Sequence, residues 1–171
     1  MKKLISYFTA LFLLASASLE ARISHQVNIK GCDTEIAVIT PEGFSDNEIE
    51  DFDFCFFDPE NQDRRVFFHC FDCDEFELNS FSDVFEYTDW LYGHIFSSVK
   101  RYRTSFSSAK EYAIRAFTTL DAQEQELYCY SYLGKVGGGL VFSVIATSSK
   151  SQEEAREDVF RFLSEISWQR R

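Results

Sequence analysis

The period of the apolar residues changes three times along this chain, and that succession restricts its fold more than any other feature. Ile23, His25, Val27 and Ile29 alternate with polar residues, the pattern of a strand half-buried in a sheet. Gly31-Cys32-Asp33 supplies a turn, and 35–40 forms a second strand that Pro41-Glu42-Gly43 ends. Phe52, Phe54 and Phe56 alternate with Asp53 and Cys55, which predicts a third strand over 52–57. The turn formers between Asp58 and Asp63 close a hairpin onto a fourth, 65–72.

From Asp83 to Val99 the period becomes helical. Val84, Tyr87, Leu91, Ile95 and Val99 recur every three or four residues, and Asp83 or Ser82 supplies a cap. Alternation then returns in three strands, 111–118, 126–135 and 140–147, the last two joined through Gly137-Gly138-Gly139. Ser151-Gln152-Glu153-Glu154 reads as a capping box opening a final helix with Ala155, Val159, Phe162, Leu163 and Ile166 on one face. Runs of strands broken by helices, without strict alternation, predict an α+β fold. About six to seven antiparallel strands form a sheet flanked by two main helices, an α/β/α sandwich.

The start of the chain has a different logic. Lys2 and Lys3 precede an apolar run from Leu4 to Leu14, and the small residues Ala15 to Ser18 follow. That order is the order of a cleavable signal peptide, cut after Ala17 or Ala21. The run is about half the roughly 20 apolar residues that span a bilayer, and nothing after it approaches that length. The expectation is therefore a signal peptide over 1–21 and a single α+β domain over 22–171, periplasmic or secreted.

The 171 residues carry a net charge of −11, and removing Lys2, Lys3 and Glu20 takes away +1 to leave −12. So acidic a chain is a poor partner for nucleic acid or anionic lipid. The charge is uneven, however. Sixteen carboxylates face two bases between Glu42 and Asp89, whereas five bases face one carboxylate between Lys100 and Arg115. This reads either as an acidic half balanced within the fold, or as a face that steers a charged partner.

The chain resembles the Mog1/PsbP-like superfamily and its bacterial relatives of the DUF1795 type. Three features carry the likeness: the strand-turn-aromatic run Ile39-Thr40-Pro41-Glu42-Gly43-Phe44, the late strand pair leading into the capped helix, and the close Ile166-Ser167-Trp168. The resemblance implies an antiparallel sheet flanked by helices. It also implies a binding or assembly module, because members include an extrinsic photosystem subunit, a small-GTPase-binding protein and adaptors for secreted effectors. It brings no shared catalytic set. Export sets aside cytosolic roles such as small-GTPase binding.

Few residues invite chemistry. His69-Cys70-Phe71-Asp72-Cys73 offers zinc-type ligands in part, but a second ligand pair is missing, and on a strand His69 and Cys70 point to opposite faces. A thiol-redox pair there would sit among Asp72, Asp74 and Glu75, which raise thiol pKa values instead of lowering them. Structural thiols are the alternative, with Cys70, Cys73 and Cys55 candidates for a disulfide among five cysteines. Asp58, Asn61 and Asp63 miss the EF-hand spacing and read as a turn. Gly134-Lys135 is followed by Val136, which fails the phosphate-loop pattern. His94 reads as a packed histidine at the helix edge, and no catalytic motif or cofactor requirement emerges.

Tyr128, Tyr130 and Tyr132 share one sheet face. Covered by a helix they are core; left open they form an aromatic strip suited to a protein partner. Two functions follow. One is a non-enzymatic protein-binding or assembly module of the cell envelope; the other is an exported metal-binding or thiol-redox protein centred on His69, Cys70 and Cys73.

Overall fold

The computed structural model describes residues 24–28, 34–47, 52–71, 80–121, 123–136 and 140–170. The expected signal peptide, Cys32, Cys73 and the triple glycine lie outside them. Ten strands and two helices occur among the described residues: β1 (Ser24–Asn28), β2 (Thr34–Ile39), β3 (Ser45–Asn47), β4 (Phe54–Asp58), β5 (Asn61–Phe71), α1 (Phe81–Ile95), β6 (Lys100–Ser107), β7 (Tyr112–Leu120), β8 (Glu126–Val136), β9 (Leu140–Ser148), α2 (Gln152–Glu165) and β10 (Ile166–Arg170).

Seven strands form one antiparallel sheet in the order β3-β4-β5-β9-β8-β7-β6. β9 lies at its centre, and each of its nine residues is buried. Its near-continuous apolar run is what a strand covered on both faces requires. The two faces separate cleanly by register. Phe68, Phe142, Val144 and Tyr130 meet α2 through Ala155, Val159 and Phe162. Phe71, Leu133, Val141, Phe117 and Ile145 meet α1 on the other face, through Phe81, Val84 and Tyr92. Phe162 is fully buried between the rings of Phe56 and Phe68, at 5.6 and 5.8 Å. Burial of such a side chain stabilises by roughly 1.5–3 kcal/mol. The expected α+β sandwich is the observed architecture.

Its strand membership differs from expectation. The first two expected strands leave the large sheet and form a second sheet, β1-β2-β10. There β10, the Ile166-Ser167-Trp168 close, pairs antiparallel with β2, Ile166 opposite Val38. Ile36 and Val38 of β2 join the core beneath α2. In the large sheet their places are taken by the short β3 and by β6.

α1 also begins and ends earlier than its period suggests. Ser80 is its cap, its hydroxyl accepting from the Asp83 N–H, and the helix stops at Ile95. Its buried stripe is Phe81, Val84, Thr88 and Tyr92, rotated from the expected one, so Ile95 is exposed. The capping box of α2 forms in part: the Ser151 hydroxyl accepts from the Glu154 N–H at 3.1 Å. The Glu154 carboxylate turns instead to Ser148 and Lys150.

Candidate functional site

Strand geometry separates the two ligand types of the His69-Cys70 stretch. Cys70 pairs with Phe142 and sits in the core under α2, whereas His69 pairs with Ser143 on the α1 face, its ring 4.4 Å from that of Phe71. Asp53 serves both from the neighbouring segment. It accepts from the Cys70 backbone N–H at 2.7 Å, and its carboxylate lies 3.3 Å from His69 Nδ1, out of hydrogen-bond alignment. Among the described residues no group of three or more His, Cys, Asp or Glu could hold a metal ion. Cys55 and Cys129 are buried free thiols, pushed up by burial to about 11 and about 12 respectively.

Asp58 and Asn61 bracket the turn at Pro59 and Glu60, whereas Asp63 already lies in β5. Asp58 Oδ1 accepts from the Glu60 N–H at 2.9 Å, and Asn61 Oδ1 from the Asp63 N–H at 3.3 Å. The other Asp58 oxygen takes Arg64, whose guanidinium also forks onto Asp158 with two bonds of 2.7 Å. That bidentate pair anchors α2 to β5, with Asp158 almost wholly buried. His94 is exposed, its Nδ1 hydrogen-bonded to the Trp90 carbonyl and its ring 4.2 Å from the Trp90 indole. No described helix is long and apolar enough to cross a membrane.

The three tyrosines of β8 differ in how far they are covered, and none of them is exposed. Tyr130 is buried beneath α2, its ring 6.1 Å from Phe160. Tyr128 and Tyr132 are half-buried at the flank of that helix. Beside Tyr132 the face continues through Ile114 and Ala116 of β7, both partly buried. Gly134 keeps the shelf flat: a Cβ there would lie 2.6 Å from the Tyr132 ring and 3.0 Å from that of Phe142. Burial raises the Tyr132 phenol pKa, and Tyr112 adds to the effect.

Past β7 the sheet ends at β6, whose residues are exposed from Lys100 to Phe106. Here the basic run of the sequence becomes an edge strand. Tyr102 and Phe106 are exposed by 41% and 40%, so this edge is aromatic as well as basic. Phe106 stacks on Phe81 and Phe85 of α1 at 6.0 and 4.5 Å. Tyr102 donates its hydroxyl to Asp89 and accepts from Arg115 Nε at 2.8 Å. Burial, then the bond to Asp89, pushes the Tyr102 phenol up to about 12.

Arg115 behind them is the residue that sequence reasoning missed. It is fully buried although it belongs to the basic run. Its Nη2 donates to the Phe85 carbonyl at 2.7 Å and to Thr88 at 3.0 Å, and its Nε lies 3.2 Å from Asp89. The guanidinium carbon stands 4.1 Å above the Phe85 ring. The signal was present in the alternation Ala113-Ile114-Arg115-Ala116-Phe117, which puts Arg115 on the inward face with Ala113 and Phe117. Thus Arg115, Tyr102 and Asp89 lock α1 to β6 and hold the aromatic edge in place.

No family model matches the sequence, and no curated protein matches it. Among solved structures, cyanobacterial PsbP (CyanoP) of Synechocystis sp. PCC 6803 superposes with a TM-score of 0.54 at 10% identity, covering 88% of this chain and 95% of that one. The Ran-binding protein Mog1p of Saccharomyces cerevisiae gives a TM-score of 0.48 at 8% identity, over 86% of this chain and 96% of its own. The seven-stranded antiparallel sheet between two helices, superposed on CyanoP over most of both chains, is the Mog1/PsbP-like fold that the resemblance implied.

Proposed function

We propose that this chain is an exported, non-enzymatic module that binds or assembles with another protein through the β6–β8 end of its sheet. The observation that carries this reading is β6 itself, an exposed edge with Lys100, Arg101 and Arg103 beside Tyr102 and Phe106. Aromatic and arginine side chains dominate binding energy at protein interfaces. A basic edge on a chain of net charge −11 also gives a partner one favoured approach. Half-buried Tyr128 and Tyr132 extend the surface around the sheet end. Export rests on the Lys2-Lys3 start, the short apolar run and the small residues after it.

The metal or thiol-redox reading of His69, Cys70 and Cys73 has less support, because His69 and Cys70 leave β5 on opposite faces. Elemental analysis of chelator-free protein tests it directly.

The protein-binding reading is tested by placing a photo-crosslinking residue at Phe106, at Tyr132 and, as a control, at exposed Glu157 of α2. A reproducible crosslinked protein from intact cells is expected at the first two positions and not at the third. Recovery of free monomer alone at all three would count decisively against it. Mass measurement of the purified product tests export, with loss of residues 1–17 or 1–21 as the expected result.

A further inference from the structure

The chemistry of β6 narrows the partner, and we propose that it is an extended segment of alternating acidic and apolar residues that adds as a further strand to the open edge of β6. This rests on the protein-binding reading above. β6 ends the seven-stranded order, with β7 on one side and no described strand on the other. A strand in that position presents unpaired backbone N–H and C=O groups, which an extended peptide can complete.

The usable length is set by the register. Pairing with β7 is continuous from Arg103 opposite Ala116 to Ser107 opposite Tyr112, and shifts between Lys100 and Arg103. Arg101 lies in the left-handed region at φ 51 within that shift, so the regular edge is 103–107. Charges and bulges also protect edges from unwanted pairing. Protection alone, however, does not leave two aromatic side chains as exposed as Tyr102 and Phe106.

Side-chain direction prescribes the alternation. Arg103 and Ser105 pair with Ala116 and Ile114 and share the α2 side of the sheet, whereas Thr104 and Phe106 pair with Arg115 and Ala113 and share the α1 side. An added strand places its own residues beside these on the same two sides. Carboxylates then meet Arg103, and apolar side chains meet Phe106. Arg101 is engaged with Glu126 at 3.1 Å, while Lys100 and Arg103 have no ion-pair partner among the described residues. The acidic remainder of the chain repels the same segment elsewhere and so orients its arrival.

The test measures fluorescence anisotropy of a labelled Glu-Val-Glu-Val-Glu-Val-Glu peptide against the purified protein. Its comparators are a block peptide of the same composition and versions N-methylated at alternate residues along one backbone edge or the other. Binding of the alternating peptide is expected. Arg103→Glu and methylation of one edge each weaken it by about tenfold or more, and methylation of the opposite edge does not. The thermal transition of Arg103→Glu, a surface change, checks that folding is intact. Equal binding of the block peptide, or insensitivity to methylation of either edge, would overturn strand addition. So would stronger binding of an oligothymidylate or of phosphatidylserine vesicles. If no peptide binds while crosslinks at Phe106 still capture a protein, strand addition falls and the protein-binding reading stands. If both fail, both fall.

Discussion

Arg115 and Asp158 are buried charged residues held by different arrangements, and Arg115 Nη1 alone among their side-chain nitrogens and oxygens is left without a partner. Asp158 meets one guanidinium in a two-pronged pair, whereas Arg115 spreads its donors over a backbone carbonyl, a hydroxyl, a phenol and the half-exposed Asp89. Truncation at Arg115 takes one of two side-chain donors from the Phe85 carbonyl, which keeps the Thr88 hydroxyl at 3.0 Å, and opens a cavity under α1. Arg115→Ala is expected to cost about 3 kcal/mol in urea unfolding, and Asp89→Asn less than about 1, because Asp89 faces water. Equal losses for the two variants would show that the ion pair, and not the buried hydrogen bonds, holds α1. Arg115 was legible in the alternation of β7, but its charge pointed outward to any reading based on composition.

Glu154 makes a pH prediction at the same scale. Burial works to raise its carboxyl pKa, but the Ser148 hydroxyl, Arg64 and Lys150 outweigh burial and set it below the ordinary 4.5. A carboxylate with a lowered folded pKa stabilises above its unfolded value, and that contribution is lost as pH falls through the folded one. Stability should therefore decline below about pH 4.5, the unfolded value, and Glu154→Gln should flatten that decline in thermal melts at stepped pH. An unchanged acid limb in the variant would remove Glu154 from the account.

Among the elements, those whose apolar residues keep a regular period were the readable ones. α2 shows its stripe and its Ser151 cap in the sequence, and β7 and β8 show their alternation. β6 has no such signature, because residues 100–106 are exposed on both sides and Lys-Arg-Tyr-Arg-Thr-Ser-Phe carries no apolar period. The helical period also overran α1, since Val99 continues the spacing after the chain has left the helix. The Pro41–Phe44 turn was legible because Gly43 takes φ 80, a conformation other residues adopt only with strain, and the Phe44 N–H closes on the Pro41 carbonyl at 3.0 Å. Gly43→Ala is expected to lower stability by about 1 kcal/mol although a Cβ there meets nothing within 4 Å. A neutral result in equilibrium unfolding would mean that the turn relaxes.

At the scale of the molecule, burial grades outward from β9. That strand is covered by a helix on each face and flanked by β5 and β8, while β6 has one described strand neighbour and its residues 100–106 are exposed. Amide hydrogen exchange should accordingly be slowest in β9, near the global unfolding limit, and fastest among the large-sheet strands in β6. Slow exchange along β6 in the isolated protein would mean that its edge is already occupied by another chain. The layered α+β plan was legible because it follows from local periods. Which strands share a sheet was not, since the pairing of β2 with β10 joins distant residues and leaves no mark on either segment.

That pairing has a temporal consequence. Val38 and Ile166 meet although 128 positions separate them, so β2 waits through the synthesis of β3 to β9 and both described helices for its second neighbour. Contacts of such separation are late and slow to form, because a long loop must close first. A chain still being made therefore holds Ile36 and Val38 in a half-built sheet. Only once residues 166–170 have emerged does this small sheet close over the α2 side of the core.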